Sequence, residues 1–378
     1  MFLTDENVTY FILQNSMFAI LLVCSCFMAI AKDKITYWKY AIIAIFVYTL
    51  NLGLRWGRGT DYNIYYYNYN DIIRNNAMDS IEPLWKIIIQ FSNLCGLSWC
   101  HFVAFMSLFL IFSGVYFLQS YKTVAIFALP LFVISTEMAE NLMRWFLGFS
   151  FILLGLTFLA SRKRLVFLFF STLGFLVHYG LIINILGFLI LSFVKKPIHP
   201  VYSIILFLLL FTFFSPDYMV RYVDLLQNID MGERFLFYQQ YAEFWLTGEA
   251  LKGKLFMNLS SAVTSVFMIV YGYNLVKKKN NLIYFYNVAV TGAVTAPAMM
   301  QIELALRINL IFYLFQFLIL AYIFEEVFRK NRCKYTYRYA FSLLVFLNII
   351  KTAVLRPLFL EPNNVLYIWD AAGRHTLF

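Results

Sequence analysis

Arg58, Asp61 and Glu82 follow one another closely in a chain of 378 residues that carries only 30 basic and 20 acidic side chains. Further along come Glu137, Glu140, Asn141 and Arg144, then His178 beside Tyr179 and Gly180, then Glu303 and Arg307. Arginine offers a planar fork of donors that matches phosphate. Carboxylates and histidine take up or release protons. Together they suit transfer from a phosphate- or diphosphate-activated donor. Cations hold the leaving group while a carboxylate takes the proton of an incoming hydroxyl. Each set also has a plainer reading. Arg55 and Trp56 fit an aromatic belt with a snorkelling arginine. Arg58 and Asp61 are neighbours if their segment is helical. Glu137, Glu140, Asn141 and Arg144 share one helical face, with Ser135 or Thr136 as its cap, so that Glu140 and Arg144 make an i,i+4 ion pair. A lone histidine is commonly a packing residue, and Glu303–Arg307 reads as an interfacial pair.

Other chemistries find no support. The chain has no phosphate-binding glycine loop, no HExxH and no GxSxG. Its four histidines and five cysteines show no metal-ligand spacing, so the expected reaction needs no metal or other cofactor. The cysteines fall mostly in apolar segments and suggest no disulfide framework.

The elements that must position these residues are membrane spans. The chain is 62% hydrophobic and 20% aromatic, and its apolar runs are uniform rather than alternating, which favours helices over a barrel. The expected fold is an all-α polytopic membrane protein, a single transmembrane domain over residues 1–378. Its twelve transmembrane or half-membrane segments lie near 8–31, 37–54, 97–118, 124–138, 140–160, 164–177, 179–194, 198–215, 256–276, 282–300, 306–324 and 337–355. Asp5 and Glu6, with no basic residue before the first run, argue for a retained span rather than a cleaved signal. Alternating the loops puts 17 basic and three acidic residues on one side and 17 acidic residues on the other. The basic side reads as cytoplasmic, which leaves no call for nucleic acid as a partner. Both termini and two long loops, 55–96 and 216–255, then face out. The count also requires chain breaks near His178 and near Ser135–Glu137. Leu84, Ile87, Ile88, Phe91 and Leu94 recur at helical spacing and predict an interfacial helix in the first loop.

Four short motifs occur in order: Gly57-Arg58-Gly59-Thr60-Asp61-Tyr62, Glu82-Pro83-Leu84, Asn141 to Arg144 opening an apolar run, and His178 closing the next. This resembles the EpsG-like family of Wzy-type polysaccharide polymerases, bacterial inner-membrane proteins related to GT-C-type glycosyltransferases. The likeness covers residues 50–190. It departs at Trp145, where the family often has Gln, and at Tyr179, where it often has a small hydroxyl residue. The resemblance implies a polymerase of O-antigen or lipopolysaccharide type. It would join undecaprenyl-diphosphate-linked oligosaccharide repeats at the periplasmic face, with a chain-length regulator protein as a partner.

On that resemblance Asp61 is the leading catalytic base, with Glu82 and Glu140 as rivals. Arg58, Arg144, His178 and Arg307 would bind the diphosphate. Tyr62, Tyr65 and Asn141 would contact sugar. The rival functions are a flippase or exporter of the same lipid-linked sugar and another lipid-dependent glycosyltransferase such as an O-antigen ligase. A flippase would want pseudo-symmetric halves, and no matching halves are visible in the spacing.

Overall fold

An apolar run inside a bilayer becomes helical because no water is present to satisfy a bare peptide group. The computed structural model describes residues 5–59, 61–75, 81–160, 163–214, 248–299, 303–329, 336–355, 358 and 366–368. In chain order its helices are α1 (Asp5–Ile30), α2 (Lys34–Gly53), α3 (Tyr62–Asn75), α4 (Pro83–Leu94), α5 (Trp99–Gln119), α6 (Ala125–Ser135), α7 (Met143–Ala160) and α8 (Arg164–Val177). They continue as α9 (Ile182–Leu191), α10 (Pro200–Phe213), α11 (Gly248–Val276), α12 (Ile283–Met299), α13 (Glu303–Leu314), α14 (Gln316–Phe324) and α15 (Thr336–Leu355).

Among the described residues, seven helical stretches are long and apolar enough to cross a membrane, and five shorter apolar helices accompany them. These are the twelve segments expected from the sequence. The chain is an all-α, multi-pass membrane protein. One boundary moves appreciably: α11 starts at Gly248, so the end of the expected 216–255 loop is helical. Residues 215–247 lie outside the described residues.

Contacts within the chain gather into two compact units, Met1–Ile185 with Phe324–Phe378, and Leu186–Ile323. In the first unit α1 packs along α2 and α6, α2 along α5, and α7 between α5 and α8. The α7–α8 approach is very close. A Cβ added to Gly174 would stand 2.6 Å from the Gly148 carbonyl oxygen. Small residues let membrane helices meet backbone to backbone in this way. In the second unit α12 packs against α10, α11 and α13. There the buried Asn287 clasps the 191–200 connection, accepting from Ile198 N–H and donating to Lys196 O, each at 2.9 Å.

Outside the spans, α3 and α4 are held by aromatic packing. Tyr62, Tyr65, Tyr69 and Ile72 recur at helical spacing and form the buried face of α3, joined by Trp56, Trp85, Trp99 and Phe102. Tyr69 also donates its hydroxyl to Leu97 O at 2.7 Å. Burying rings of this size stabilises by roughly 1.5–3 kcal/mol each. Residues 366–368 return to the start of the same region. Trp56 N–H donates to Leu366 O (3.0 Å) and Ile368 N–H to Leu54 O (2.9 Å), an antiparallel bridge that pairs Arg55 with Tyr367.

Both expected breaks are present. Between α6 and α7 the chain forms a 3₁₀ turn, Glu137–Glu140. After α8, His178 is extended (φ −153°, ψ 109°) and a 3₁₀ turn, Tyr179–Leu181, follows.

Candidate active site

The segment between α2 and α3 is a turn, not a helix. Gly57 and Gly59 have φ of +62° and +99°, so Arg58 and Asp61 are not helical neighbours. Gly59 is required twice over: its φ strains any residue with a Cβ, and that Cβ would meet Glu140 O at 2.9 Å. The turn thereby lies directly on the Glu137–Glu140 segment. Asp61 N–H donates to Asn141 Oδ1 at 2.8 Å and fixes the contact from the other end. Asn141, expected at a sugar, here orients the backbone of Asp61.

Arg58 is fully buried. Its guanidinium packs on two rings, 4.7 Å from the centroids of both Tyr10 and Tyr367. Nη2 donates to Asn51 O at 3.0 Å, and Nη1 is 3.5 Å from Glu140 Oε1. Tyr367 donates to Asn51 Oδ1 at 3.1 Å, closing the ring of contacts. Burial alone would lower the Arg58 pKa; Glu140 and the two tyrosines outweigh it and raise it. Arg55 is buried too, and burial, with Arg58 nearby, lowers its pKa. It donates to Leu52 O at 3.3 Å and Glu140 O at 3.5 Å. Arginine remains charged over ordinary pH, so the turn holds two buried positive charges. Arg55 is therefore no snorkelling belt residue, and Arg58 has no surface open to a ligand.

Tyr62 and Tyr65, expected to line a sugar site, are packed inside the aromatic cluster. The Tyr62 ring stands edge-on to Trp99 and its hydroxyl donates to Arg55 O at 3.4 Å. Burial pushes its pKa up to about 12.

A second constellation forms at the other break. Glu82, the residue before Pro83, accepts from Arg144 Nη1 at 2.8 Å and from Tyr179 N–H at 3.4 Å. His178 Nδ1 lies 3.9 Å from Glu82 Oε1. A quarter of the Arg144 side chain is exposed, against 9% for Glu82. The expected i,i+4 pair of Glu140 with Arg144 is thus replaced by two longer-range pairs, Arg58–Glu140 and Arg144–Glu82. The reason is local. Glu140 ends a 3₁₀ turn and α7 begins only at Met143, so the two side chains do not share a helical face. Ser135 and Thr136 do not cap α7 either; their hydroxyls donate back to Leu131 O and Phe132 O of α6. Glu137 lines a small cavity with Gln14, Tyr48 and Glu140.

The profile of the EpsG family matches residues 38–360. The chain belongs to the EpsG family. This is a family of Wzy-like polymerases, and membership makes the chain a polysaccharide polymerase-type membrane protein in general terms. The match is far longer than the 50–190 stretch that carries the motifs. No curated protein and no solved structure matches the chain.

Within the EpsG family match fall Arg58, Asp61, Glu82, Glu140, Asn141, Arg144, His178 and Arg307, while Tyr10 and Tyr367 lie outside it. Neither tyrosine carries a sequence signal: Tyr10 sits in an apolar run and Tyr367 in a short apolar stretch, residues 365–369. Arg307 belongs to the second compact unit, half-buried in α13. The side chain of Glu303 lies outside the described residues.

Proposed function

We propose that the chain joins oligosaccharide repeat units carried on undecaprenyl diphosphate, at the periplasmic face of the bacterial inner membrane. The growing glycan leaves its carrier and passes to a hydroxyl of the next repeat. The anomeric C–O bond to the diphosphate breaks, a C–O bond to the acceptor oxygen forms, and the diphosphate departs with the electron pair. The acceptor proton goes to a carboxylate.

The observation that supports this best is the state of the three carboxylates and three arginines. Glu82 and Glu140 each face a guanidinium, and both pairs join separate segments of the chain. We assign the base to Asp61, which stands in the Gly57–Tyr62 motif and whose backbone is fixed beside Asn141. Arg144 is partly exposed, whereas Arg55 and Arg58 are buried. Arg144 is therefore the arginine assigned to the leaving diphosphate, with His178, which faces the same Glu82. Arg58 contributes a fixed charge and holds Glu140 and the turn. Arginine charge fills the electrostatic role a metal would otherwise play, so the proposed reaction is metal-independent.

The test is complementation of a strain that makes lipid-linked repeats but cannot polymerise them. Wild type should restore a ladder of long chains, and Asp61→Asn or Arg144→Ala at matched membrane levels should leave single repeats. Long chains from both variants would overturn the assignment. Repeats trapped on the cytoplasmic face would instead indicate a flippase.

A further inference from the structure

Histidine can donate or accept at either ring nitrogen, and the partner at one nitrogen decides the other. At the break after α8, Gly180 N–H donates to His178 Nδ1 at 3.1 Å. A backbone amide only donates, so Nδ1 must be the acceptor, and the proton of the neutral ring sits on Nε2.

Two neighbours hold the ring in this position. Trp145 meets it edge-to-face, with centroids 4.7 Å apart and planes at 76°. Gly180 lies so close that an added Cβ would stand 2.7 Å from Trp145 Cζ3 and 3.2 Å from His178 Nδ1. The glycine is needed for space, so that its amide can reach the ring beneath the indole. Glu82, before α4, faces His178 and itself holds Arg144 of α7. Glu82 Oε1 is 3.9 Å from Nδ1, beyond hydrogen-bond range. It is already bonded by Arg144 and by the N–H of Tyr179, the titratable neighbour on the same break.

We infer that His178 is locked as the Nε2–H tautomer, so that it donates a hydrogen bond and does not accept the acceptor's proton, with Gly180 and Trp145 as its positioning residues. The tautomer rests on geometry alone; the donor role rests on the polymerase reading. A neutral donor stabilises a diphosphate oxygen without competing with Asp61 for the proton being transferred.

The experiment uses the full chain, labelled with 15N-histidine in detergent micelles at pH 7, with the His178 signal identified by its loss in His178→Gln. The expected spectrum has Nδ1 unprotonated and Nε2 protonated. A protonated Nδ1 overturns the inference. In Trp145→Ala the ring should populate both tautomers, and an unchanged spectrum removes Trp145 as a positioning residue. In the polymer assay, Gln places its amide N–H₂ near the Nε2 position and Asn places it near Nδ1. His178→Gln should therefore retain at least about tenfold more long polymer than His178→Asn, a ratio worth about 1.4 kcal/mol in barrier. Equal polymer from the two overturns the donor role. Absence of polymer from wild type would defeat the polymerase reading, and the nitrogen spectrum would still decide the tautomer.

Discussion

Arg144 bonds Glu82 at 2.8 Å, across from α7 to the start of α4, and not Glu140 one turn before it in sequence. Arg58, from a different turn, takes Glu140. Arg58–Glu140 ties the Arg55–Asp61 turn to the Glu137–Glu140 turn, and Glu82, bonded by Arg144 and by Tyr179 N–H, ties the start of α7 to the His178 break. Breaks leave backbone groups that no helix satisfies, and side chains distant in sequence supply partners for two of them. Asn141 takes the Asp61 amide and Glu82 takes the Tyr179 amide. Buried backbone groups outside a helix need such partners.

The Arg144–Glu82 pair should therefore show energetic coupling. Removing either partner leaves a largely buried charge alone. In a double-mutant cycle of Glu82→Gln and Arg144→Gln, each single variant should lower the thermal midpoint of the purified protein more than its share of the double. A coupling of about 1–2 kcal/mol is expected for a charged hydrogen bond with one partner part-exposed. The same cycle across Glu140 and Arg144 should be additive, and coupling there would contradict the pairing.

Gly59 and Gly57 should respond differently to alanine. Both have positive φ, a cost of about 1 kcal/mol for a residue with a Cβ. Only Gly59 also lies against backbone, its Cβ site 2.9 Å from Glu140 O, while nothing lies within 4 Å of the Gly57 site. Gly59→Ala should lower stability by roughly 2–3 kcal/mol and abolish long polymer. Gly57→Ala should remain active, as scored by melting curves and glycan ladders.

The helices and their two breaks were legible in the sequence because apolar length and the Lys/Arg bias report directly on the bilayer. Arg58, Asp61, Glu82, Arg144 and His178 could likewise be picked out, since charge in a greasy chain is rare. Their partners could not. The Glu140–Arg144 spacing fits an ion pair in an unbroken helix, and only the 3₁₀ turn and the late start of α7 separate them. Tyr62 and Tyr65 read as sugar-contacting residues, and only tertiary structure shows them packed against Trp99 and Trp85. The role of Tyr367 depends on chain return over more than 300 residues, which no local pattern records.

Tyr62 makes stability depend on alkaline pH. Burial raises its pKa from 10 to about 12, so the folded state holds its proton more tightly than the unfolded chain. Its contribution is fully present below pH 10 and is lost as pH rises through 12. That rise in pKa corresponds to about 2.7 kcal/mol at most. Tyr62→Phe should remove part of the alkaline destabilisation between pH 10 and 12 in denaturation midpoints. An identical pH slope in variant and wild type would contradict it.

Tyr367 is the residue through which the C-terminal segment should control the turn. Its ring covers one face of the buried Arg58, its hydroxyl reaches Asn51, and its backbone pairs with Arg55. Tyr367→Phe keeps the ring and loses one neutral hydrogen bond, worth about 1 kcal/mol. Tyr367→Ala also strips a desolvated cation–π contact of about 2 kcal/mol and opens a cavity beside the guanidinium. The alanine variant should therefore melt well below the phenylalanine variant and lose long polymer, while phenylalanine retains it. Deleting residues 366–378 should match or exceed the alanine effect, because it also frees Trp56 N–H and Leu54 O of their partners. A truncated chain with wild-type melting and a full glycan ladder would show that the turn holds its shape without the C-terminal bridge.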